Sequence, residues 1–250
     1  MKTFIKNMRR SRFPFLFLVC LLETRSALAL INVNCVGDSI TFGSGLATTA
    51  ETYPFKLQQL LGPAYSVANY GVSGATLLKA GDSPYWGTSA YTFSHGIRGG
   101  QIPNIVILML GSNDAKPQNW QFSGSFIQDY TNLVASYANL TTHPRILVCT
   151  PPPVFGSGAF NINPGVVETN IAPLVRQLSL ALDRELIDMN SIFAGHPELF
   201  PDTVHPNSDG ATAMASLVYT AIVPEPGSAS LFGFGLLILL RGRNRPGRCD

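Results

Sequence analysis

The chain has 250 residues, which is enough for one domain with a sizeable hydrophobic core, and its formal net charge is +2. The charge is uneven, because residues 30–222 contain 7 Lys and Arg against 12 Asp and Glu, and the remaining basic residues lie near the two ends. An acidic domain repels phosphate backbones, so the composition argues against a nucleic-acid-binding protein.

Residues 1–29 have the three-part layout of a secretory signal peptide. Basic residues precede an apolar run, Phe13–Leu22, that is too short to span a membrane, and Ala27-Leu28-Ala29 offers a cleavage site with small residues. We therefore predict that the protein is exported and that the mature chain begins near Leu30.

A short apolar run over residues 30–36 is typical of a buried strand, and it stops at Gly37-Asp38-Ser39. Ser39 would then lie just beyond the carboxyl end of a strand, where open α/β sheets bind their ligands. One interpretation is that Ser39 is a nucleophile. The other is an ordinary strand-to-loop turn, since Gly, Asp and Ser are common turn residues.

Helices and strands alternate through the rest of the domain, 30–222. The unbroken apolar run 105–110 is typical of a strand covered on both faces. The alternation implies βαβ units with right-handed crossovers, so we predict one α/β domain, a three-layer α/β/α sandwich with about five parallel strands. The predicted helices cover 52–61, 122–140, 166–183 and 208–222, and the further predicted strands cover 65–70, 145–150 and 185–189.

Residues 80–103 look irregular, and they are rich in Gly and aromatic residues. A long irregular segment inside a compact domain is usually functional or mobile. Its aromatic residues could form a wall on which a sugar stacks, with Trp86 and His95 as candidate substrate contacts. Alternatively, they pack the segment onto the core.

The loops after the predicted strands carry residues suited to acyl transfer, which needs a nucleophile, a base, a group that orients the base and donors for the oxyanion. Asp202 precedes His205 by three residues, so on a tight turn it could bond one imidazole nitrogen and leave the other aimed at Ser39; the pair could equally be a self-contained loop contact. The N–H groups of Ser39 and Gly74 and the Asn113 amide could hold the oxyanion, although Asn113 is also an ordinary turn residue.

No spacing of Cys and His residues suggests a metal site, and we predict no cofactor. Cys35 and Cys149 lie within apolar runs, and we expect both to be small buried hydrophobic residues.

Residues 223–250 have a second three-part layout: Pro224-Glu225-Pro226, a mostly apolar run over 228–240, and four arginines. One interpretation is a short membrane anchor with a basic flank. The order of the three parts resembles the PEP-CTERM sorting signal of bacterial envelope proteins. That resemblance implies processing by an exosortase, transient membrane contact through the C-terminal helix, and a final location at the cell envelope, on the surface or outside the cell.

Four blocks in order along 30–222 resemble those of the SGNH (GDSL-type) hydrolases. The resemblance implies a flavodoxin-like sheet and serine esterase chemistry without a metal. Carried over by motif, Ser39 is the nucleophile, His205 and Asp202 complete the triad, and Ser39, Gly74 and Asn113 are the oxyanion donors. The blocks are Gly37-Asp38-Ser39-Ile40, Asn69-x-Gly71-x-x-Gly74, Gly111-x-Asn113-Asp114 and Asp202-x-x-His205-Pro206.

Residues 111–120 and 202–207 further resemble the sialate O-acetylesterase-like and other carbohydrate acetylesterase branches, which implies removal of acetyl groups from sugars. In this region we expect Lys116 and Trp120 to pack rather than to reach substrate. The sequence thus predicts an exported bacterial serine esterase acting on an acetylated carbohydrate. Two alternatives stay open: a lipid or lysophospholipid esterase with the same machinery, and a surface glycan-binding module with a vestigial triad.

Overall fold

The structure is a computed structural model, and it describes residues 29–223. The predicted signal peptide and C-terminal sorting signal lie outside the described residues, apart from Ala29 and Val223, and both stay predictions. Within the described part of the chain, no helix combines the length and apolar character needed to cross a bilayer.

One sheet of five parallel strands confirms the predicted fold class. Its order is β2-β1-β3-β4-β5, the flavodoxin-like arrangement of a doubly wound sheet. Gly37 pairs with both Gly71 and Met109, so the carboxyl ends of the three neighbouring strands β2, β1 and β3 are level, and the loops that follow them meet at one edge. The strands are β1 Ile31–Gly37, β2 Tyr65–Gly71, β3 Ile105–Met109, β4 Arg145–Cys149 and β5 Glu185–Ile187.

The four predicted helices are present within residues 29–223, and the bounds of several predicted elements differ. The helix predicted from residue 122 begins at Phe126, because the preceding residues form separate short turns that bond to other segments. The strand predicted over 185–189 ends at Ile187, since Asp188 accepts a bond from Ser191 N and so begins a helix. A π-helical turn, Val167–Ile171, joins α6 to α7. The helices are α1 Ser39–Phe42, α2 Tyr53–Leu61, α3 Ser89–Ser94, α4 Pro117–Trp120, α5 Phe126–Ala138, α6 Pro164–Val166, α7 Ala172–Ala181, α8 Met189–Phe193 and α9 Ser208–Ile222.

Each face of the sheet has its own hydrophobic core. Consecutive strand residues point to opposite faces, so Val36 packs with α5 and α7 while Cys35 packs with α2 and α9. Because both faces are covered, the central strand β3 is buried along its whole length. Cys35 and Cys149 are buried free thiols, as predicted.

Residues 80–103 are more regular than predicted, because they contain α3 and two single turns of 3-10 helix. Tyr85 is fully buried and Trp86 packs against the core on the α5 side of the sheet. The His95 ring stacks on Tyr137 with 4.0 Å between ring centroids. Of the two interpretations of this segment, packing onto the core is the one that the structure supports.

Candidate active site

Ser39 is the first residue of α1, directly after β1. Asp38 begins this helix by accepting a bond from Ile40 N (3.0 Å), and burial raises the pKa of the Asp38 carboxyl to about 6. Only glycine fits at position 37, because the Cβ of any other residue would lie 2.6 Å from the Met109 carbonyl oxygen. The backbone thus turns sharply at the end of the strand and places Ser39, which is 6% exposed, at the edge of the sheet.

Ser39, His205 and Asp202 form a continuous chain of hydrogen bonds. The distance from Ser39 Oγ to His205 Nε2 is 2.8 Å, and the distance from His205 Nδ1 to Asp202 Oδ2 is 2.7 Å. The other carboxylate oxygen, Asp202 Oδ1, accepts bonds from Val204 N (3.0 Å) and His205 N (2.6 Å). The structure therefore brings together residues 166 positions apart in the sequence, and both Ser39 and His205 are buried.

Ionisation of Asp202 decides which imidazole nitrogen carries the proton. Burial would raise the pKa of Asp202, but the bonds donated by His205 and Val204 outweigh burial and hold this pKa below its ordinary value. An ionised carboxylate only accepts hydrogen bonds, so His205 Nδ1 donates to it. His205 Nε2 is then free to accept the Ser39 hydroxyl proton, which is the arrangement that a general base needs.

Three N–H groups belong to residues that line one cavity with Ser39 Oγ. The N–H of Ser39 itself lies in the first turn of a helix and has no intrahelical acceptor. Gly74 has a φ of +83°, which favours glycine, and an added Cβ would meet nothing within 4 Å. Asn113 Nδ2 donates one bond to Ala75 O (3.1 Å) and has a second N–H for a ligand.

Asp114 holds the loop that carries Gly74 in place. Its two carboxylate oxygens accept bonds from Leu77 N (2.9 Å) and Leu78 N (2.7 Å), and burial raises its pKa to about 7. The adjacent residue, Asn113, bonds the same loop at Ala75. Both side chains therefore tie the loop after β2, which contains Gly74, to the loop after β3, which contains Asn113.

A cavity of about 340 Å³ contains these groups. Besides the predicted residues, Phe160 and Lys116 line it; the sequence gives no signal for Phe160, and Lys116 was expected to pack. Trp120 does pack, with its ring 5.6 Å from that of Phe126. The full lining comprises Ser39, Ser44, Gly45, Ser73, Gly74, Asn113, Lys116, Phe160, Ile162, Asp202 and His205.

The sequence matches the GDSL-like lipase/acylhydrolase family over residues 35–213. The chain belongs to this family. Membership of this family agrees with the carboxylic ester hydrolase that the sequence predicts.

Relatives of this hydrolase include an acetylxylan esterase from Xylanibacter ruminicola, 34% identical over 211 residues. That match covers 77% of the chain but 43% of the relative, so the hydrolase spans less than half of that protein. A carbohydrate acetylesterase family member from Sinorhizobium meliloti is 27% identical, with a TM-score of 0.59 and coverage of 77% and 97% of the two chains. The aryl esterase of M. smegmatis shares the fold, with 20% identity, a TM-score of 0.60 and coverage of 76% and 99%.

The structure does not bring the predicted substrate contacts Trp86 and His95 to the cavity of this hydrolase. Trp86 Nε1 donates to Leu77 O (2.8 Å). His95 Nδ1 donates to Tyr91 O (2.7 Å), and Nε2 lies 3.0 Å from Ser136 Oγ. Their polar atoms are thus used in holding the segment to the core.

Among residues 29–223, no group of three or more His, Cys, Asp or Glu side chains is arranged to hold a metal ion.

Proposed function

We propose that this hydrolase is a serine esterase that removes acetyl groups from carbohydrate hydroxyls, with Ser39, His205 and Asp202 as its catalytic triad. The observation that carries the proposal is the hydrogen-bonded chain from Asp202 through His205 to Ser39 Oγ. The proposed nucleophile, its base and the group that orients the base are thereby within hydrogen-bonding distance of one another.

The proposed reaction has two symmetrical halves. Ser39 Oγ attacks the ester carbonyl carbon while His205 Nε2 takes the hydroxyl proton, and the negative oxygen is held by Ser39 N, Gly74 N and Asn113 Nδ2. The C–O bond to the sugar then breaks, and His205 gives its proton to the departing alkoxide. Water attacks the acyl-enzyme with His205 again as base, which releases acetate and restores Ser39.

The size and the polar side chains of the cavity favour an acetyl group as the acyl part of the ester substrate. Ser44, Ser73 and Lys116 contribute polar side chains, whereas a long acyl chain requires a continuous apolar channel. The names of the Xylanibacter and Sinorhizobium relatives, an acetylxylan esterase and a carbohydrate acetylesterase family member, support the same choice. The resemblance of residues 111–120 to the sialate O-acetylesterase branch also favours acetylated sugars.

Acyl-chain selectivity tests this proposal. We expect the full chain to release acetate from acetylated xylan, and its kcat/KM on 4-nitrophenyl acetate to exceed that on 4-nitrophenyl octanoate by about 10-fold or more. Release of 4-nitrophenol across the acetate, butyrate and octanoate series measures the preference. A preference for octanoate would support the lipid-esterase alternative, and glycan binding without turnover of any ester would support the vestigial one.

Asn113→Ala will lower kcat by about 10²–10³-fold, because it removes a donor to the oxyanion. The buried amide also bonds Ala75, so the variant is compared with wild type by thermal unfolding as well as by steady-state kinetics. Gln128→Ala provides a matched loss of an amide far from the cavity, since Gln128 is exposed on α5 and its side chain donates only to Asn132 Oδ1 (3.1 Å). An unchanged kcat in a folded Asn113→Ala protein would remove this residue from the mechanism.

A further inference from the structure

Phe160 is an apolar side chain left exposed at the cavity that contains Ser39. Phe160 is 56% exposed, although burial of a phenyl ring away from water is energetically favourable. Its ring centroid lies 5.0 Å from that of His205, with the two rings inclined at 60°. An exposed apolar side chain that lines a cavity together with a few polar groups is typical of a ligand-binding site.

The backbone holds Phe160 in this position at a cost. Phe160 has a φ of +55°, in the left-handed region that bulky residues avoid, and the next residue, Asn161, has a φ of +61° in the same region. Such a conformation is unfavourable for a bulky residue, and residues held in one cluster at active and ligand-binding sites.

Hydrogen bonds on both sides fix the segment that carries Phe160, residues 155–163. On one side, Phe155 N donates to Thr203 O (3.0 Å) and Ala159 N to Thr203 Oγ1 (3.1 Å). Thr203 lies between Asp202 and His205. On the other side, Asn163 N donates to Ala115 O (3.3 Å), close to the oxyanion donor Asn113. The phenyl ring is therefore positioned by the same turns that carry the base and the oxyanion donor.

The place of Phe160 beside His205 assigns it to the alcohol side of the ester. His205 Nε2 must come within hydrogen-bond reach of the departing alkoxide oxygen, so the group attached to that oxygen lies next to the imidazole. The carbonyl oxygen lies instead at the donors of Gly74 and Asn113. The ring that borders the imidazole is that of Phe160.

Lys116 supplies the polar complement of this surface. It lines the same cavity, and among the described residues its ammonium group forms no ion pair. An ammonium group provides three N–H donors. An apolar face beside several donors matches a pyranose ring, which presents C–H groups on its faces and hydroxyl groups around its rim.

We propose that Phe160 is the platform on which the sugar ring of the substrate stacks, with Lys116 donating to its hydroxyl oxygens. The subsite takes a pyranose that carries the acetyl ester. This inference rests on the proposed function, and it makes Phe160 a specificity-determining residue rather than a part of the triad.

The test compares a sugar ester with an ester whose alcohol cannot stack. Acetate release from methyl tri-O-acetyl-β-xyloside and from ethyl acetate is measured for the full chain and for Phe160→Ala, Phe160→Leu and Phe160→Trp. We expect Phe160→Ala and Phe160→Leu to lower kcat/KM on the xyloside by about 10-fold, mainly through KM, and to leave ethyl acetate unchanged. Phe160→Trp restores the xyloside rate. Phe55→Ala, which removes a similarly exposed phenyl ring on α2, leaves both rates unchanged.

Two results would overturn the inference. An equal loss on both esters in Phe160→Ala would mean that the ring supports His205 rather than the sugar. Full xyloside activity in that variant would mean that the sugar does not touch the ring. Failure of the proposed function is distinguishable from both, because the wild-type chain would then release no acetate from the xyloside, whatever its rate on ethyl acetate.

Discussion

Ser39→Ala will lower kcat by about 10⁴-fold or more while the protein keeps its fold. Ser39 Oγ is the atom bonded to His205 Nε2, so the variant has no hydroxyl for this base to deprotonate. The turn itself does not depend on the hydroxyl, since α1 is begun by the Asp38 carboxylate and ended by Gly43 N bonding to Ser39 O. The residual rate will come from binding and from the oxyanion donors alone.

Release of 4-nitrophenol from 4-nitrophenyl acetate, measured with the full chain, gives the rate, and circular dichroism monitors the fold. Ser216→Ala is the matched control, because Ser216 is an exposed residue on α9 whose hydroxyl bonds only the Thr212 carbonyl oxygen. Its kcat will equal that of wild type. A folded Ser39→Ala protein that retained about a tenth of the wild-type rate would exclude Ser39 as nucleophile.

Asp202→Asn will lower kcat by about 10³–10⁴-fold, although the change replaces one oxygen with NH₂. The amide side chain of this variant can still accept the bonds from Val204 N and His205 N with its single oxygen, which turns its NH₂ group toward His205 Nδ1. A donor at that point forces Nδ1 to accept, so the ring proton moves to Nε2. His205 then donates to Ser39 Oγ and cannot take its proton.

Steady-state kinetics on the acetate ester measure this loss, and the Ser39→Ala/Asp202→Asn double variant tests its mechanism. We expect the double variant to be no slower than Ser39→Ala, because residues that act as a unit are not additive. Asp209→Asn removes the same charge from the exposed start of α9 and will leave kcat unchanged. Two losses that multiplied in the double variant would show that Asp202 acts independently of Ser39.

The sheet could be predicted from the sequence because its signals are local. The run 105–110 is apolar without interruption, and the bounds of α9 agree with the predicted 208–222 since Asn207 and the apolar spacing mark them. The start of α5 could not be predicted, because residues 113–125 are arranged by bonds to distant groups. One such bond runs from Asn119 Nδ2 to Asp82 Oδ1 (3.0 Å).

The residues brought together at the site were predictable for the same reason, as each stands in a short motif at the end of a strand or on a tight turn. Ser39, Asn113 and His205 could be singled out one loop at a time. Phe160 could not, since its place depends on bonds from residues 155–163 to Thr203 and Ala115, which no local pattern encodes. The prediction that Trp86 and His95 contact substrate was wrong, because aromatic residues in a Gly-rich stretch give no sign of which partner they will pack against.

The bonds that tie residues 155–163 to Thr203 are donated by main-chain N–H groups, at Phe155 and Ala159. Every amino acid except proline supplies such a donor. The exposed side chain at position 160 can therefore change while the attachment of its segment to the turn that carries His205 persists. During evolution the side chain that contacts the alcohol part of the ester can then change, and with it the preferred ester, while the proposed catalytic residues keep their positions.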